Sequence, residues 1–132
     1  MRTLDYFWYM HYRFIHYKIK RNDYNSKWAA TAGVAFDLLL YINLCVELYL
    51  YFFNYERYIK YCKSDMFLIM AVLLFVASTI YFLIIRKNIV ANFEDKYSKL
   101  SNNKKKRDWI VFTLAATIPL ILFIILVPLL HP

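Results

Sequence analysis

Three polar side chains interrupt an otherwise apolar run. Asp37, Asn43 and Glu47 lie within residues 28–53, WAATAGVAFDLLLYINLCVELYLYFF. A carboxyl group in such a run can hold a proton, face a cation, or hydrogen-bond a neighbouring helix. Spacing narrows the choice. At about 100° per residue, Asn43 and Glu47 are an i, i+4 pair on one face of a helix. Asp37, Tyr51 and Asn54 fall within about 60–80° of Glu47, as do Ala29 and Gly33. The helix therefore carries one arc, small at its first end and acidic or polar further along.

Insertion energetics give this arc a consequence. The aliphatic and Phe residues of the run supply roughly −5 kcal/mol, while a central Asp costs about +3 kcal/mol and Glu47 adds to that. The helix alone is marginal in a bilayer, so its acids need neighbours, protonation or water. The later apolar runs contain no Lys or Arg, and the sequence shows no counter-ion for Asp37 at that depth. Two readings stay open. The arc is interhelical hydrogen-bond glue, or it lines a cation-conducting or proton-responsive path built from several copies. Ala29 and Gly33 form a small-xxx-small pair that permits close approach of another helix.

Other chemistry is sparse. His11 and His16 have no Cys, Asp or Glu at ligand spacing, which speaks against a metal site and for interfacial packing. With a single glycine, Gly33, the chain has no phosphate-cradling loop. It also lacks a Ser/His/Asp pattern, so no catalytic residue, cofactor or enzymatic activity is expected. Cys45 and Cys62 are too few for a disulfide framework.

The elements around the arc follow from composition. The 132 residues are 61% hydrophobic and 20% aromatic, which leaves too little polar surface for a soluble core. The expected fold is an all-α integral membrane protein in one domain, with an N-terminal interfacial amphipathic helix and three transmembrane helices. Residues 1–27 place Leu4, Phe7, Trp8, His11, Ile15 and Ile19 on one face, suited to lying among lipid headgroups. Phe7, Trp8, Trp28 and Trp109 are the expected interfacial anchors. No cleavable signal is visible in this segment. The spans are residues 28–53, 66–85 and 109–130, the last containing Pro119, where a kink is expected, and Pro128. Residues 54–65 read as an outer loop. The basic segment 86–108 reads as a helical hairpin that carries spans two and three into the cytoplasm, the second helix continuing past Arg86 and Lys87.

Charge fixes the expected orientation. Of the 17 Lys and Arg residues, only Arg57, Lys60 and Lys63 lie between spans one and two. The rest fall in residues 1–27 and 86–108, which share a side if there are three crossings. The positive-inside rule then places the N-terminus in the cytoplasm and the C-terminus outside, and the Lys, Asn, Ile and Tyr richness suggests a bacterial inner membrane. Lys104, Lys105, Lys106 and Arg107 suit anionic lipid headgroups or a cytoplasmic partner better than nucleic acid. The function expected from these features is an assembled homo-oligomer, a cation-conducting or membrane-perturbing channel lined by the arc. The alternative is a non-catalytic accessory or regulatory subunit bound to a larger membrane protein.

Overall fold

A computed structural model describes the backbone of residues 2–130 and the side chains of residues 3–126, so the Pro128 side chain lies outside the described residues. The described residues are about 90% helical, without strands. The order is α1 (Arg2–Arg13), a π-helical turn (Phe14–Lys18), α2 (Asp23–Phe53), α3 (Tyr55–Lys63), α4 (Met66–Thr79) running into a second π-helical stretch (Ile80–Ile85), α5 (Ile89–Ser98) and α6 (Asn102–Leu130). Three of these segments are long and apolar enough to span a membrane: Asp23–Phe53, Met66–Ile85 and Asn102–Leu126.

The chain leaves its first helical segment at Lys20, which takes a left-handed φ of 62° and redirects the backbone. Asn22 then starts α2 by accepting the amide N–H of Asn25 on its side chain at 2.7 Å. The helix begins five residues before the apolar run and ends at Phe53. Asn54 closes it and caps the next helix, its side-chain oxygen accepting the Arg57 amide at 3.3 Å.

α2 is the hidden helix of the three. Half of its most apolar window is buried, against 11% for Met66–Ile85 and 6% for Asn102–Leu126. The latter two turn Leu68, Leu73, Ile84, Ile110 and Ile124 outward, as helices facing hydrocarbon do. Their inward sides are small or aromatic: buried Ser78 and Phe82 on one, Phe112 on the other, the two rings packing against α1.

Three expectations are corrected. The N-terminal helix does not present a single apolar face: Asp5, Trp8, Tyr9, Met10 and Tyr12 are all buried, and α1 is the centre of the main core cluster. Its abundance of rings explains this, because successive turns supply packing partners on several sides. Tyr9 stacks on Phe93 at 5.7 Å, Trp8 on Phe82 at 5.5 Å, and Phe7 meets Phe112 at 5.6 Å. Residues 54–65 are largely helix α3 instead of a loop, with Tyr58 buried. The helix after Arg86 does not continue outward. It breaks over residues 86–88, and α5 folds back to bury Ile89 and Tyr97 against α1. α6 runs from Asn102 to Leu130 and includes a buried Pro119.

Candidate functional site: the polar arc and the cleft beside it

The arc of α2 is buried inside the chain. Asp37, Asn43 and Glu47 are 6%, 2% and 8% exposed, and each meets a different environment.

Asp37 finds a partner that a search among Lys and Arg misses. His11 Nε2 lies 3.0 Å from Asp37 Oδ2, and its Nδ1 lies 3.0 Å from the Phe7 carbonyl oxygen. A carbonyl oxygen only accepts, so Nδ1 must carry a hydrogen. The contact between Nε2 and Oδ2 then needs one proton of its own, held on the imidazole or on the carboxyl group. The pair is thus a proton-holding unit, neutral overall while that proton is present. Phe7 and Phe112 both meet the imidazole ring edge-on, with centroids at 4.7 and 4.8 Å.

Gly33 makes this pairing possible. A Cβ added there would lie 2.7 Å from His11 Cδ2, closer than carbon atoms pack. The expected close approach at Gly33 therefore occurs, but to the N-terminal helix. Ala29 is half-buried on the same face. A turn away, the Trp8 indole N–H donates to Thr31 Oγ1 at 3.1 Å. Trp8, expected among headgroups, is fully buried, whereas Phe7, Trp28 and Trp109 keep part of their surface. Trp28 stacks on Phe75, and Trp109 Nε1 donates to the Tyr97 hydroxyl at 2.8 Å.

Further along the arc, Tyr61 of α3 donates to Asn43 Oδ1 at 2.5 Å. Glu47 Oε2 is buried and has no hydrogen-bond partner. Tyr51 packs edge-on against Tyr55 and Tyr58, and Asn54 serves as a cap, so neither joins the acids in a common lining. Cys62 sits near Glu47; burial, the largest influence, pushes its thiol up.

α1 collects further polar partners from the rest of the chain. Asp5, 2% exposed, accepts from Arg86 at 2.7 Å and from the Tyr81 hydroxyl at 2.8 Å. This contact lies where the helix after Ile85 breaks. Glu94 of α5 accepts from Arg13 at 3.3 Å and from Tyr17 at 2.7 Å. Tyr6 donates to Asp108 at 2.7 Å, and burial together with this carboxylate pushes its phenol up. Lys104, Lys106 and Arg107 are exposed at the start of α6, while the Lys105 ammonium lies 5.2 Å from the centre of the Tyr97 ring.

Between α1, α2 and α6 lies a cleft of about 720 Å³. Asp37 and Asp108 line it, together with the rings of Tyr6, Phe7, Tyr41 and Phe112. Tyr41 spans toward α6, donating to the Ala115 carbonyl at 2.7 Å. Sequence reasoning took His11 for an interfacial packing residue and did not single out Asp5, Tyr41 or Asp108. The signal available for His11 was the lone glycine, on the arc and one turn from Asp37. Among the described residues, no group of three His, Cys, Asp or Glu is placed to hold a metal ion.

No family model matches the chain, and neither does any curated protein or solved structure compared with it.

Proposed function

We propose that this is a multi-pass membrane protein that acts as a non-catalytic accessory or regulatory subunit of a larger membrane assembly, with its N-terminus and the turn between α5 and α6 on the cytoplasmic side. One observation carries the reading: two of the three polar groups of the arc find their partners within a single chain. Asp37 is taken by His11 and Asn43 by Tyr61. A pore built from several copies would have to turn this arc away from α1 and α3 and leave His11 without its acid. The surface left over is the apolar exterior of Met66–Ile85 and Asn102–Leu126, suited to lipid and to the helices of a membrane partner. Exposed Lys104, Lys106 and Arg107 add a cationic edge for anionic headgroups or an acidic partner surface.

The rival reading is a homo-oligomeric cation channel. Its support is the unpartnered Oε2 of Glu47, a buried acceptor that an ion or water would satisfy. Particle mass and ion flux separate the two. Purified in mild detergent, the chain is expected to be a monomer by light scattering, to conduct no cations in liposomes, and to migrate from its own membrane with other chains at fixed stoichiometry. A discrete homo-oligomer, with flux abolished by Asp37→Asn or Glu47→Gln, overturns the proposal.

A further inference from the structure

The cleft between α1, α2 and α6 has a selective chemistry, and its argument does not depend on the accessory-subunit reading. Its volume of about 720 Å³ is that of a small-molecule site. The residues around it include two carboxylates, Asp37 and Asp108, and four aromatic rings, but no Lys, Arg or His. Donors that could greet an anion are already committed. The Tyr6 hydroxyl is given to Asp108, the Tyr41 hydroxyl to the Ala115 carbonyl, and His11 Nε2 faces Asp37 from behind the wall. What remains for an occupant is carboxylate oxygen, phenolic lone pairs and ring surface, with the Thr3 hydroxyl at an exposed position.

Each class of occupant meets this lining differently. An anion faces two acids with hardly a donor to receive it. A neutral chain fills the volume but removes water from Asp37 and Asp108 without replacing it, an unfavourable exchange for polar groups. A hydrophobic cation offsets Asp108 and is attracted to the negative faces of aromatic rings. Arg107 Nε, 3.9 Å from Asp108 Oδ1, sits on a side chain that is 71% exposed, and it is not among the residues lining the cleft.

We propose that this cleft binds a hydrophobic organic monocation, of the quaternary ammonium, phosphonium or protonated lipophilic amine class. The charge sits toward Asp108, since the charge of Asp37 is already balanced by His11, and the apolar groups lie among Tyr6, Phe7, Tyr41 and Phe112. Ala115 lies on the α6 wall, where a larger side chain would occupy the ligand's volume.

The test compares two ions of nearly equal size and shape. The full-length chain in nanodiscs of phosphatidylcholine is dialysed to equilibrium against tetraphenylphosphonium or tetraphenylborate, and partition into empty nanodiscs is subtracted. The expected result is saturable binding of the phosphonium, one per chain, with the borate at the empty-disc level. Ala115→Phe is expected to weaken phosphonium binding by at least about tenfold, with an unchanged thermal midpoint. Asp108→Asn is expected to weaken it by about tenfold, through loss of charge complementarity. Equal binding of both ions shows an apolar slot of the kind a lipid chain fills and overturns the proposal. No saturable phosphonium binding, or full binding in Ala115→Phe, overturns it as well.

Discussion

The two ends of the α2 arc carry the same functional group in unequal surroundings. At the inner end the Asp37 carboxyl is met by an imidazole at 3.0 Å, brought in over the only glycine of the chain. At the outer end the Glu47 carboxyl is almost as deeply buried but leaves one oxygen without a partner. The difference lies in what packs on each. α1 approaches over a small residue and extends a long polar ring. α3 brings phenols and a thiol, and its Tyr61 hydroxyl goes to Asn43 instead. Burial alone therefore does not define a site on this helix; the element laid across it does.

This contrast can be broken from either end. The largest effect is expected for Asp37→Ala, which leaves the His11 ring facing a void in a buried setting. Thermal or denaturant unfolding in detergent is expected to show a loss of about 3–5 kcal/mol, the cost of removing one member of a buried pair. In His11→Ala/Asp37→Ala, the second substitution is expected to cost much less than it does alone; additive losses would mean that the two side chains do not act as a pair.

Gly33→Val attacks the same contact sterically and keeps both polar groups. A side chain at that position must displace His11, so a loss of about 1–3 kcal/mol is expected from overpacking. An unchanged midpoint would show that α1 moves away from α2 without consequence.

The outer end predicts the opposite sign. Glu47→Leu removes an unsatisfied buried acceptor and is expected to stabilise the protein by about 1–2 kcal/mol. A clear loss of stability would reveal that Oε2 has a partner in the membrane, and would favour the channel reading.

The smallest effect concerns rate. Burial holds the Cys62 thiol above its ordinary range, helped by the charge of Glu47 and opposed by the Tyr58 hydroxyl. Alkylation requires the thiolate. Modification of Cys62 is therefore expected to be slow near neutral pH and to accelerate at a higher pH than for an exposed cysteine, read by mass spectrometry of the alkylated peptide. An ordinary pH profile would place Cys62 in water.

Much of this architecture was legible from residue order. The three apolar runs, the single arc on the first of them and its concealment all follow from helical periodicity and from the cost of an acid in hydrocarbon. What escaped was the role of residues 1–27. Their mixture of rings and cations satisfies the pattern of a surface helix, and periodicity cannot tell a lipid headgroup from a neighbouring helix as the covering layer. Asp5 held the missing information, since an acid among cations on a surface helix has no evident purpose, whereas a buried one fixes Arg86. Asp37 was paired with nothing because the expected counter-ion was a Lys or Arg at the same depth. A histidine from another segment was the answer. The cleft was out of reach altogether, because Asp37, Tyr6 and Asp108 are brought together only by the packing of three helices.

The bond between Tyr6 and Asp108 joins residues 102 positions apart, and this sets an order on the making of the protein. His11 leaves the ribosome before Asp37, so the acid of α2 has its partner waiting as it is synthesised. The far wall of the cleft arrives last, with Asp108 and Phe112. A nascent chain halted before α6 can hold its first acid, but it has only an open trough where the finished protein has a cleft.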